Sequence, residues 1–322
     1  MTESASVQPF QIEYDLRLVE ASVLLRVARE PETKFFHRAH DLIYGLQDAE
    51  ERERQFRNSH SKWFVHFRLE QPVVEALKEQ PLLAQKTRRC SVVLAPSIHE
   101  EGADLHDLRD SNPTDAPPAR IILIQLTPER LLDPTVRYWL RRELMHVVDV
   151  LDPNFGYERL IPPCNGGRFY NDLLRDRYRV LWNTWIDGRL VRRGWLPEEV
   201  RAERLQEFAG AFPGLGGGVE STFNELFCSE FQTHAGLMAL ARNPTSSSPA
   251  NVGVSHARFC PICLFPSFNL VDGIADLPGE AQKEITEDFP DWRPEQGICR
   301  QCADLFQARR LSRAAEAALP KV

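Results

Sequence analysis

Near its C-terminus the chain repeats one short pattern, a cysteine, two residues and a second cysteine. The pairs are Phe259-Cys260-Pro261-Ile262-Cys263 and Ile298-Cys299-Arg300-Gln301-Cys302, with 35 residues between them. Two thiolates at this spacing can reach one ion, and four fill the tetrahedral shell that zinc prefers. A closed shell of four thiolates leaves no open coordination position, so such a zinc is structural and not catalytic. Two redox dithiols, or two unrelated turns, are the competing reading. The turn-like context of the first pair and the helical context of the second favour the metal. The other cysteines, Cys90, Cys164 and Cys228, bring the total to seven, an odd number that suits reduced thiols better than a disulfide framework.

The second pair opens a segment with helical character, Ala303 to Ala318. Knuckle, intervening hairpin or loop, then Cys-x-x-Cys at a helix start resembles the treble-clef zinc fingers, over about residues 258 to 320. Residues 258–322 carry 8 Lys and Arg against 10 Asp and Glu. Nucleic-acid binding needs a basic footprint, so a folding role or a protein contact is expected of this module.

The chain as a whole has 322 residues, a formal net charge of -7 and 43% hydrophobic residues. That is enough to bury one large domain plus something small, and the acidic balance argues against a coat for nucleic acid. No uncharged apolar run approaches the roughly 18 residues of a membrane helix, and the first residues lack a signal-peptide pattern. The expected setting is cytoplasmic. Residues 11 to 86 show apolar positions at helical spacing, Ser91 to Ala95 reads as a strand, and residues 96 to 118 read as an acidic, Pro-rich loop containing His99, Glu100, Glu101, His106 and Asp107. Ile121-Ile122-Leu123-Ile124 is the clearest strand. Asp133 and Pro134 predict a helix start, and Pro153 a stop, giving a helix over 134–151. Further helices are expected over 171–193, with Leu174, Tyr178, Leu181 and Trp185 on one stripe, and over 222–240. Residues 210–218 are Gly-rich but lack the Lys-Ser/Thr ending of a phosphate loop. The expected organisation is a domain over 1–242, a linker over 243–257 and a zinc module over 258–322.

The 134–151 helix contains Leu140-Arg141-Arg142-Glu143-Leu144-Met145-His146-Val147-Val148-Asp149. This resembles the zincin metallopeptidases, whose signature is His-Glu-x-x-His on a helix that follows an apolar strand. The resemblance spans about residues 88 to 240 and implies an α+β, helix-rich fold with a small sheet. It places Glu143 on the general base and His146 on the second histidine ligand. Arg142 stands where the first ligand would be. A guanidinium stays protonated and cannot ligate zinc, and it can substitute for the metal by pairing with carboxylates. Glu143 and His146, three apart, are expected on one helix face with Trp139 and Val150, turned toward the strand at 121–124.

Two functions follow from this pattern. In one, the zincin-like part is a degenerate, non-catalytic scaffold (a pseudo-peptidase) working through a protein partner. In the other, it is a metal-dependent hydrolase whose second metal ion sits on His146, Asp149 and a downstream carboxylate, Glu225 or Asp187, with Glu143 as base. Both carboxylates have plainer readings. Thr222-x-x-Glu225 fits a capping box, and Asp187 fits an arginine pair. His234, and the pair His37 and His40, are read as structural. The Arg142 substitution favours the scaffold.

Overall fold

The computed structural model describes residues 10–29, 33–108, 119–159, 167–243, 258–267 and 270–318. Within this span the chain forms two compact units, Met1–Pro153 and Asn154–Val322. The expected linker from residue 244 onward, residues 109–118 of the acidic stretch, and Cys164 lie outside the described residues.

The first unit begins with β1 (Gln11–Tyr14). Five helices follow: α1 (Leu16–Arg29), α2 (Thr33–Tyr44), α3 (Ala49–His66), α4 (Gln71–Lys78) and α5 (Pro81–Lys86). Then come β2 (Arg89–Leu94), β3 (Gly102–Leu108), β4 (Ala119–Leu126), the single turn α6 (Pro128–Leu131) and α7 (Val136–Leu151). The sheet order is β1-β2-β4-β3, with β3 antiparallel at one edge and the other pairings parallel. Cys90, Val92, Ile122, Ile124 and Leu126 are fully buried on one face, the period-2 pattern of a half-covered sheet. Leu18 and Val23 of α1, Val73 of α4, and Leu140, Leu144, Val147 and Leu151 of α7 complete that core. The four α7 residues recur at helical spacing, which aims one stripe of the helix at the sheet.

Two expectations about this unit fail, each because pairing with a neighbour outweighed local composition. The helical reading of 11–86 missed β1. Gln11-Ile12-Glu13-Tyr14 alternates polar and apolar, and it is a strand because β2 pairs with it, Gln11 opposite Arg89 and Tyr14 opposite Val92. The loop reading of 96–118 missed β3, whose Ala103 and Leu105 pack against the core while the exposed Asp104, His106 and Asp107 made it look like a loop. Charges on an edge strand discourage pairing with another chain. The α7 start also lies slightly later than expected. Asp133 accepts from the Thr135 amide and hydroxyl at 2.7 and 2.6 Å in the turn before the helix, and the helix proper begins at Val136.

In the second unit α8 (Gly167–Arg192) is the spine. It buries Leu174, Tyr178, Leu181 and Trp185, the expected stripe, and stops before Gly194, whose φ of +68° suits glycine. Helices α9 (Val200–Ala211), α10 (Val219–Phe227) and α11 (His234–Arg242) pack against it. The single helix expected over 222–240 is therefore two helices. Thr222 lies inside α10 and donates to the Gly218 carbonyl at 3.0 Å, so the capping box does not form. The Gly-rich segment forms a 3-10 turn, Pro213–Gly218.

Gly188 sets how closely α8 and α10 approach. A Cβ there would lie 1.9 Å from the Phe227 carbonyl oxygen and 2.8 Å from its carbon. Helix propensity alone would make Gly188→Ala stabilising by about 1 kcal/mol. The backbone clash has nowhere to relax, so we expect a net loss of about 2 kcal/mol or more, read as a lower urea midpoint.

Candidate metal centre and the α7 helix

The remaining elements of the second unit are short. Strands β5 (Arg258–Phe259) and β6 (Pro266–Ser267) form one hairpin. Strand β7 (Leu270–Val271) pairs antiparallel with β8 (Ile298–Cys299), helix α12 (Gly279–Asp288) lies in the connection, and α13 (Arg300–Ala318) follows at once. Cys260 and Cys263 occupy the β5–β6 turn, where the Leu264 amide donates to the Cys260 carbonyl at 2.8 Å. Leu264 closes that turn at a φ of +58°. Cys299 ends β8 and Cys302 sits in the first turn of α13.

All four cysteines are buried and their sulfurs lie within 4.8 Å of one another. Cys260 and Cys302 are 3.9 Å apart at Sγ, and Cys263 and Cys299 are 3.6 Å apart. A disulfide needs about 2.05 Å, whereas a tetrahedral ion with 2.3 Å sulfur bonds sets its ligands about 3.8 Å apart. The quartet therefore fits one tetrahedral metal ion. Hydrogen bonds from the Cys263, Cys299 and Cys302 thiols push the Cys260 thiol down toward thiolate. The Cys299 amide also donates to that sulfur, at 3.3 Å. Among the described residues the quartet is the one group of three or more His, Cys, Asp or Glu side chains with ligand atoms this close.

Arg177 of α8 was not legible as part of this centre, because it lies more than eighty residues upstream in an ordinary amphipathic stripe. Its guanidinium lies 3.8 Å from the ring centre of Phe265 and donates to Gln301 Oε1 at 3.0 Å. Tyr170 also stacks on Phe265, with ring centroids 4.8 Å apart. Burial pulls Arg177 below its usual range, opposed by the fields of Cys263, Cys299 and Cys302. A divalent ion on four thiolates carries net charge of about -2, and a buried cation beside it offsets that charge.

On α7 the neighbours of the motif are anchored structurally. Arg141 holds Glu79 through Nε at 2.8 Å and Nη2 at 2.7 Å, and Arg137 joins from the preceding turn. Burial pushes the Glu79 carboxyl up, but the two guanidiniums more than offset it and hold it below the usual range. Glu143 is turned toward β3, the strand hidden in the acidic stretch. Burial pushes its carboxyl above the usual range, against the opposing influence of the nearby Ala103 amide and of the Arg142 and Arg130 charges. Glu101 fixes the approach to β3: its buried carboxylate accepts from the Thr127 amide and hydroxyl at 3.2 and 2.5 Å and from Arg130 at 2.8 Å. His146 is half-buried and Asp149 is 2 % exposed on the same helix.

The two downstream carboxylates have other surroundings in the second unit. Asp187 is completely buried and takes Nε and Nη2 of Arg204 at 2.9 and 2.8 Å. Glu225 is exposed and accepts from the Ser221 hydroxyl at 3.3 Å. His234 is a core histidine, bonded through Nδ1 to the Tyr178 hydroxyl at 2.8 Å.

No protein-family model, no curated protein and no solved structure matches this chain. Among the described residues no helix is long and apolar enough to cross a membrane.

Proposed function

We propose that this is a zinc-binding protein whose treble-clef-like module is folded by a structural zinc, and whose zincin-like part, about residues 88 to 240, is a degenerate scaffold that works through a protein partner. The observation that carries the metal is the sulfur spacing of 3.6 and 3.9 Å. Zinc is the natural occupant of four buried thiolates at tetrahedral spacing. The order of knuckle, hairpin and Cys-x-x-Cys helix supports the treble-clef reading.

Support for a scaffold comes from α7. Arg142 occupies the first ligand position, and its charge one turn from His146 opposes a cation there. At roughly 6 Å and an effective dielectric of about 20, that repulsion amounts to several kcal/mol for a divalent ion. Glu143 meanwhile is turned into the packing of α7 against β3, beside Gly102. We expect no hydrolysis of unstructured protein substrates by the wild-type chain. Arg142→His, assayed beside it, should raise metal content by up to one ion per chain. Wild-type cleavage that disappears in Glu143→Gln would establish the metal-dependent hydrolase instead.

A further inference from the structure

Two histidines that are 20 positions apart in sequence meet inside the first unit. His40 on α2 and His60 on α3 are 7 % and 6 % exposed. Their ring centroids are 5.0 Å apart with planes inclined by 77°. Phe36 and Phe56 pack against His40 at 3.8 and 5.2 Å. Each imidazole buries its Nε2 with no hydrogen-bond partner. Such a nitrogen costs about 1–3 kcal/mol, and here the cost is incurred twice within one helix pair. A buried polar atom of this kind calls for an occupant that satisfies it.

We propose that His40 and His60 hold a divalent transition-metal ion of the zinc class between α2 and α3. Imidazole is a preferred ligand for these ions, with metal–nitrogen distances of about 2.0–2.1 Å. Two rings bound at a tetrahedral angle would have centroids about 5.2 Å apart, close to the spacing found. A surface cleft lined by Asp15, Arg17, Glu20, Glu53, Arg57 and His60 supplies an entry path. Its three carboxylates outnumber its two guanidiniums, which favours entry of a cation. His37, one turn before His40, and Glu20 on α1 are near enough for their charges to act on His40 and His60 respectively. Neither forms with the pair a group of three ligand atoms within 4.8 Å, so water entering from the cleft completes the coordination shell.

The test is calorimetric titration of zinc chloride into full-length protein whose cysteine site is already filled. We expect one further equivalent, weakened more than tenfold by His40→Gln or His60→Gln and unchanged by His99→Gln, a substitution on an exposed turn. Because the buried variants can perturb packing, amide exchange of the wild-type protein provides a second reading. Added zinc should slow exchange in α2 and α3. The proposal is overturned if the wild-type protein binds no further equivalent, or if both buried variants bind it as well as wild type.

Discussion

Stripping the metal from the cysteine quartet should unfold residues 258–318 while the sheet of the first unit persists. The strands there are only two residues long, too short to stand without a staple. Their core is correspondingly small, with Ile262, Phe265, Ile285, Trp292, Ile298 and Phe306 as its largest buried apolar members. Structural zinc contributes about 10–16 kcal/mol to modules of this kind at neutral pH, as much as the roughly 5–15 kcal/mol of net stability of a whole domain. Chelation followed by hydrogen exchange should therefore show loss of protection in α12 and α13 first. Cys299→Ser should have the same effect without chelator and remove the thiol-bound zinc. Full protection of both helices after complete zinc removal would refute the structural role. Arg177→Met should be milder, weakening zinc retention by removing the cation that offsets the thiolate charge.

Arg204→Met should destabilise the second unit by about 3–5 kcal/mol, the usual result of taking one partner from a buried ion pair. Asp187 is 0 % exposed and would lose both of the Arg204 contacts it takes. The double variant Asp187→Leu with Arg204→Met should recover most of the loss, because a buried pair is often replaceable by apolar groups of similar volume. Urea unfolding followed by the fluorescence of Trp182 and Trp185 on α8 measures both. Metal content of the Arg204→Met variant, read beside its stability, separates two roles for Asp187. A carboxylate that serves a metal would gain ions when Arg204 is removed, and a carboxylate that serves the fold would only lose stability. We expect the second outcome.

Several parts of this architecture were legible because they depend on neighbours in sequence. The two Cys-x-x-Cys pairs carry their own turn geometry, and their convergence follows from the chemistry of four thiolates. Strands β2 and β4 are short runs of β-branched and aliphatic residues. Helix α7 is bounded by Asp133 and Pro153, and α8 by its apolar stripe and Gly194. Each of these signals is local, and each survived in the folded chain.

What only the tertiary structure decided concerns groups whose role depends on a distant partner. β1 is a strand because β2 offers it hydrogen bonds, and β3 is a strand because β4 does, whatever the acidic composition of the stretch suggests. The break between α10 and α11 leaves Ser229 where its carbonyl accepts the Trp185 indole at 3.1 Å. Arg177 reaches the cysteine module only through the fold. His40 was read as an ordinary structural histidine, and it meets His60 only because α2 and α3 pack side by side. Backbone propensity and ligand spacing act over a few residues and can be read from the chain itself. Burial, ion pairing and the meeting of side chains from different elements cost or release free energy only when the whole chain has closed around them.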